Sequence, residues 1–272
     1  MCIRDSPDWY DARFHRYARL LFGLSARHCS RLITASNYTA GRIAARWPDV
    51  GPIEVVPWPA VVRTRTVRAL PPRPWQVVMV SATEAHKNHV GAIEAIETVR
   101  GSLGDDVGLT LIGPAGRSER DVMAHARRAD PDGLWIRRLI DIPDSELEQT
   151  YRSAWVVIQP SFDEGFCLPL LEAAAYGTPA VHSGRGSMPE VVSGVNANSV
   201  DPLVLSEHVV ALADPQRYAA ASQSALADCG RMSPARFADE LTRLIADVRA
   251  ATRSRRHRGV ERLPGALRDV RL

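Results

Sequence analysis

Lysine is nearly missing from these 272 residues: of 34 basic side chains 33 are arginine, and Lys87 is the single lysine. Where arginine is used everywhere else, one ammonium group is worth following. Cysteine is scarce too. Cys2, Cys29, Cys167 and Cys229 lie far apart with no CxxC pair. That pattern signals neither a disulfide framework nor a structural zinc site, and a reducing cytoplasm is the expected compartment. No run of about 18 apolar residues occurs, so no segment is expected to span a bilayer as a helix.

What remains is ordinary for a globular chain. The apolar fraction is 45% and the charged fraction 24%, which excludes collagen-like and disordered classes, and the length suggests about two domains. The net charge of +3 is uneven. Residues 251–272 hold seven Arg against Glu261 and Asp269, a local +5 that leaves −2 for the rest. Nucleic acid is therefore not an expected partner, since only a tail could attract it.

The ends read differently from the middle. Met1-Cys2-Ile3-Arg4-Asp5-Ser6 has no apolar core or cleavage site and is no signal peptide; it reads as the translation of a sequencing-library adaptor. The natural start is then expected to be lost. Residues 251–272, with Arg255-Arg256-His257-Arg258 and Pro264-Gly265, are expected to be a disordered basic tail. Contact of this tail with acidic lipid headgroups is the sharper alternative. Phe14, Tyr17, Leu21 and Leu24 fall at helical spacing over 11–26, read as a surface helix packing on a domain, with peripheral contact to the inner membrane surface as the alternative.

Between the ends, apolar runs alternate with helical periodicity. Residues 31–57 read as strand, helix and strand, with exposed sheet edges expected there. Pro71, Pro72 and Pro74 then punctuate an expected linker over 61–74. From Trp75 strands are expected at 77–80, 109–112, 134–140, 155–158 and 180–181. Helices are expected at 89–100, 118–129, 144–153 (with Asp144 as cap), 169–176, 203–213, 215–228 and 234–250. Continuous apolar strands alternating with helices indicate a parallel sheet covered on both faces. Ligands of such sheets bind beyond the carboxyl ends of the strands. The loops at 81–88, 113–117, 141–143, 159–168 and 183–188 thus share one crevice.

One segment concentrates chemistry. Glu164-Gly165-Phe166-Cys167-Leu168-Pro169-Leu170-Leu171-Glu172 runs into Ala173–Tyr176 and then Gly177-Thr178-Pro179. Pro169 suits the first turn of a helix and Gly177 its stop. Amides of Phe166, Cys167 and Leu168 would then lie free at a helix N-terminus, a place that favours phosphate. Two carboxylates beside an anion site make sense if they accept from hydroxyls, and Lys87 can serve a pyrophosphate as a point charge. A glycosidase carboxylate pair, a catalytic Cys167 thiol and a His86–His89 metal site are the weaker readings of these residues.

The segment resembles the family-4 (group 1) glycosyltransferases of the GT-B fold. It carries Glu164-x7-Glu172 within Glu-Gly-Phe-x-Leu-Pro-x-x-Glu-Ala-x-x-x-Gly-Thr-Pro. Ser187-Met188-Pro189-Glu190-Val191, Thr83 to Asn88 and Pro143-Asp144-x-Glu146-Leu147 with Tyr151 are similar to further pieces of that pattern, as are Pro7–Tyr10 and Ala35–Thr39. The resemblance implies an α/β protein with a complete C-terminal Rossmann-like domain at 75–232 and a helix at 233–250. Residues 7–60 would be the tail end of an N-terminal, acceptor-side Rossmann-like domain. It implies a retaining hexosyltransferase moving a mannose- or rhamnose-like sugar from a nucleotide-diphosphate sugar to a polysaccharide or lipid-linked acceptor, with no metal or other cofactor.

By that resemblance Glu164 is the catalytic-site carboxylate, read as an anchor of the transferred sugar rather than a nucleophile. Lys87 with Gly165, Phe166, Cys167 and Leu168 would hold sugar and pyrophosphate, Glu172 the ribose, and Ile140 and Asp141 the base. Cys167 departs from the family's usual glycine and His86 from its common arginine, which bears on donor affinity. With most of the first domain expected to be absent, the chain is expected to bind donor without turnover. An epimerase or phosphorylase on the same scaffold, or a non-catalytic nucleotide-sugar-binding fragment, are the alternatives.

Overall fold

The computed structural model describes residues 21–64 and 66–261, without side chains at 252–261. The adaptor-like start, Pro7–Tyr10, residues 11–20 of the expected first helix and residues 262–272 lie outside the described residues.

The described residues open in helix α1 (21–28) and continue through β1 (Leu32–Thr34), α2 (Asn37–Arg46) and β2 (Ile53–Val55). β1 and β2 pair in parallel as a two-stranded sheet, and Ile33 on its outer side stays half exposed. The described residues between 56 and 74 contain no helix or strand. They are nevertheless fixed: the N–H groups of Arg63 and Thr64 donate to the Ala175 carbonyl, and the Arg68 N–H to Ser222 Oγ.

Strands β3 (Trp75–Val80), β4 (Val107–Ile112), β5 (Ile136–Leu139), β6 (Val156–Gln159), β7 (Ala180–His182) and β8 (Val195–Asn196) form one parallel sheet. Its order is β5-β4-β3-β6-β7-β8. Helices α3 (His89–Leu103), α4 (Glu119–Ala129), α5 (Asp144–Ser153), α6 (Leu168–Ala175), α7 (Met188–Val191), α8 (Pro202–Ala211), α9 (Pro215–Arg231) and α10 (Pro234–Glu261) follow the strands in turn.

Strand alternation explains the two core layers. Val77 and Met79 point to the face covered by Ile93 and Ile96 of α3 and by Leu205 and Val209 of α8, whereas Val78 points to the face covered by Leu170 and Leu171 of α6. Successive strand residues face opposite sides, so a strand buried on both faces reads as a continuous apolar run. Each such side chain, fully buried, contributes about 1.5–3 kcal/mol.

Several sequence expectations shift in detail. The helix expected to stop at 250 continues to Glu261: residues 251–258 contain neither Pro nor Gly, and arginine is a good helix former. The expected disorder of the tail therefore does not hold over 251–261. Asp144 is the first helical residue of α5, not its cap. The cap position is Pro143, with no side-chain bond, and Asp144 supports the helix through its charge near the N-terminus. β5 is shorter than expected because Leu134 turns out to solvent.

Candidate functional site

The loops that follow β3, β4, β6 and β7 converge at the carboxyl edge of the sheet. Their crowding is visible at Gly113, where φ is +132° and a Cβ would stand 2.5 Å from the Ser81 carbonyl oxygen. A 3₁₀ turn at Ala85–Lys87 carries Lys87 to the crevice. The next residue, Asn88, adopts a left-handed backbone, caps α3 by accepting from the Gly91 N–H, and donates to the Pro160 carbonyl.

Lys87 and Glu164, 77 residues apart, form an ion pair with Nζ 2.6 Å from Glu164 Oε1. The same oxygen accepts from Ser161 Oγ at 2.8 Å and from Gln159 Nε2 at 3.3 Å. Glu164 is 5% exposed, so these three donors offset the cost of burying its charge. All three converge on one oxygen, and no hydrogen bond among the described residues uses Oε2. One carboxylate oxygen is thus held by the protein while the other remains available to an outside donor. Gln159 ends β6 and Ser161 lies two residues beyond it, in the loop that leads to Glu164; this closeness in sequence was the signal that could have placed both on Glu164.

The loop then turns into α6. Cys167 occupies the cap position with φ +74° and ψ +66°, a left-handed backbone that glycine adopts without strain, and this accounts for glycine being the residue usual in the resemblance. The N–H groups of Gly165, Phe166, Cys167 and Leu168 donate to no protein acceptor among the described residues. Four such amides at one helix start favour an anion. The Cys167 thiol is buried, and burial together with the Glu164 carboxylate pushes its pKa well up, so it presents no thiolate there.

Glu172 lies one turn further on, half-buried, and accepts from the Tyr151 hydroxyl at 2.7 Å. Burial and this carboxylate raise the Tyr151 pKa well above its usual value. Tyr151, Glu172, Leu168, Leu147 and Asp144 line a cleft of about 410 Å³ that the segment from Pro59 to Arg63 borders on its other side. Ile140 and Asp141 are exposed and do not line it; Asp141 has φ +52°. His86 is buried, and burial and Lys87 lower its pKa. His89 is buried beside Ser81, with a pKa lowered to about 4. Among the described residues no three His, Cys, Asp or Glu side chains are grouped as for a metal ion, and no helix is long and apolar enough to cross a membrane.

A parallel sheet covered by helices, with a lysine, two carboxylates and amides lacking protein acceptors among the described residues in the loops at its carboxyl edge, defines an α/β protein whose polar groups gather where such sheets bind ligands. Comparison with known proteins narrows the class. Residues 63–228 match the model of the family described as glycosyl transferases group 1, and the chain belongs to that family. It is 30% identical over 204 residues to O-antigen chain mannosyltransferase B of Escherichia coli, covering 71% of this chain and 51% of that protein. It is 35% identical over 158 residues to D-inositol 3-phosphate glycosyltransferase of Segniliparus rotundus, covering 54% and 34%. The chain thus spans about half the length or less of these relatives.

Among solved structures, Anabaena Alr3699/HepE in complex with UDP and glucose superposes with a TM-score of 0.71 at 19% identity, covering 89% of this chain and 69% of that one. α,α-Trehalose 6-phosphate synthase of Burkholderia multivorans gives 0.70 at 14% identity, covering 90% and 65%. The fold is α/β and of the GT-B type.

Proposed function

We propose that this chain holds the donor site of a retaining hexosyltransferase whose substrate is a nucleotide-diphosphate sugar. Glu172 accepts from the ribose, the amides of Gly165 to Leu168 together with Lys87 meet the pyrophosphate, and Oε2 of Glu164 accepts from the transferred sugar. The observation that carries this reading is the division of labour at Glu164: Oε1 is engaged by Lys87, Ser161 and Gln159, while no hydrogen bond among the described residues uses Oε2, and the amides of the four residues that follow meet no protein acceptor there. A carboxylate held this way suits an anchor better than a nucleophile. The acceptor hydroxyl would then attack on the face from which the diphosphate departs, with Lys87 and the amides balancing the charge that develops on the leaving oxygen. Cleavage of the bond between the anomeric carbon and the diphosphate oxygen, with transfer of the acceptor's proton to that oxygen, completes the exchange without a metal or other cofactor.

A mannose-like sugar is favoured because O-antigen chain mannosyltransferase B is among the relatives, which also makes a polysaccharide or lipid-linked saccharide the proposed acceptor. The site would act on the cytoplasmic side, with peripheral contact to the membrane face bringing it to a lipid-linked acceptor. The comparisons support the family's transfer chemistry and lend no support to the expectation that the chain is inactive.

A thermal-shift panel of GDP, UDP, dTDP and ADP on wild type and Glu172→Ala tests the reading. At 100 times its dissociation constant the correct diphosphate adds about 2.7 kcal/mol of stability. One nucleotide should shift wild type, and shift the variant less. No shift with any of the four, on folded protein, would overturn it.

A further inference from the structure

The loop that carries the free amides is gripped from two sides, and one grip comes from far away in sequence. The Glu164 carbonyl accepts from the Ser187 N–H at 3.0 Å and from Ser187 Oγ at 3.1 Å. The next carbonyl, of Gly165, accepts from Ser36 Oγ at 2.7 Å and Thr39 Oγ1 at 3.2 Å, both in the first turn of α2 or its cap. Both peptides are trans. In a trans peptide the N–H points opposite to the carbonyl that precedes it. Fixing the Gly165 oxygen toward α2 therefore turns the Phe166 N–H away from α2, and fixing the Glu164 oxygen toward Ser187 turns the Gly165 N–H away from Ser187.

The grip of α2 is itself held. Glu190 reaches across to the start of α2, where its Oε2 accepts from the Asn37 N–H at 2.7 Å and from Asn37 Nδ2 at 3.0 Å, while its Oε1 accepts from the Tyr38 N–H at 2.7 Å. A carboxylate on the first amides of a helix is a strong, charge-assisted contact. Close by, Tyr38 donates to Asp163 at 2.8 Å. Residues 187–190 and the first turn of α2 thus close around residues 163–165.

We propose that Ser36 and Thr39 are positioning residues that aim the Phe166 amide at the donor's diphosphate, and that Glu190 keeps α2 in the register this requires. The proposal rests on the donor-site reading above, and it makes the first, two-stranded unit a working part of the donor site and not only a neighbour of it. Donor affinity should follow hydroxyls that touch no ligand.

The test uses the full chain labelled with ¹⁵N-phenylalanine, titrated with GDP, UDP, dTDP and ADP in turn, as wild type, Ser36→Ala/Thr39→Val, Glu190→Gln and Thr39→Ser. The binding nucleotide should move the Phe166 amide resonance of wild type. In Ser36→Ala/Thr39→Val its dissociation constant should rise about tenfold, as expected for one misdirected bond to a charged group, and the Phe166 displacement should shrink. Glu190→Gln should fall between, and Thr39→Ser, which keeps the hydroxyl, should match wild type. Equal affinity and equal Phe166 displacement in the double variant would overturn this proposal alone. A fall in affinity shared by Thr39→Ser would also overturn it, since the hydroxyl would not be the cause. Absence of binding by folded wild type would overturn the donor-site reading and this proposal with it.

Discussion

Removing the Lys87 ammonium should cost more than removing the charge it faces. In Lys87→Met the buried Glu164 carboxylate loses its one cationic donor and keeps only the neutral donors Ser161 and Gln159. Breaking a fully buried pair costs about 3–5 kcal/mol, and an exposed one about 0–1 kcal/mol. Here the lysine side chain is 20% exposed and the glutamate 7%, and two donors remain, so a loss of about 2 kcal/mol follows. In Glu164→Gln the lysine, nearer to solvent, can recover hydration, while the amide oxygen takes over the Oε1 position, so the loss is about 1 kcal/mol. Urea unfolding at pH 7 measures both, since an unchanged slope with a lowered midpoint reports stability alone. A loss below about 0.5 kcal/mol for Lys87→Met, or a larger loss for Glu164→Gln than for Lys87→Met, would refute the claim that Glu164 is a buried charge dependent on Lys87.

The left-handed backbone at Cys167 predicts that Cys167→Gly stays within about 1 kcal/mol of wild type, relief of strain offsetting the lost side chain. Cys167→Val, β-branched at positive φ and overfilling a buried site, should cost about 3 kcal/mol, and equal midpoints would contradict this. Gly186 has φ +67°, and a Cβ there would lie 2.3 Å from the Glu164 carbonyl oxygen; Gly186→Ala should cost at least about 2 kcal/mol and abolish nucleotide binding in calorimetry. Burial lowers the pKa of His89 and of His182 from 6.5 to about 4. The unfolded chain then binds more protons between those values, so stability should begin to fall as pH drops below about 6.5, reaching a few kcal/mol near pH 4. A urea midpoint that is flat from pH 7 to 5 would contradict it.

The parallel sheet and its crevice were legible because the central strands β3, β4 and β6 are buried on both faces and read as apolar runs, with helical periodicity between them. The Glu164–Glu172 segment was legible because Pro169 and Gly177 bracket a short helix. What could not be read were bonds between distant residues: no spacing places Ser36 on the carbonyl of Gly165, 129 residues away. Tyr151 could be placed on α5 by periodicity, yet its bond to Glu172 depends on how α5 and α6 pack. Asp144 misled because acidic residues favour both the cap and the first turn, and only the backbone distinguishes them. The helix past residue 250 was hidden by its charge, which resembles a solvated tail even where nothing breaks the helix.

If the amides of residues 165–168 and Lys87 form a cradle for a diphosphate, calorimetric titration of one nucleotide in two phosphorylation states will show it. For whichever of GDP, UDP, dTDP and ADP binds wild type, the diphosphate should bind about tenfold more tightly than the monophosphate, one charge-assisted bond being worth about 1.5 kcal/mol. In Lys87→Met that difference should narrow. Equal affinity of wild type for the monophosphate and the diphosphate would rule out such a cradle, because the second phosphate would then be meeting nothing.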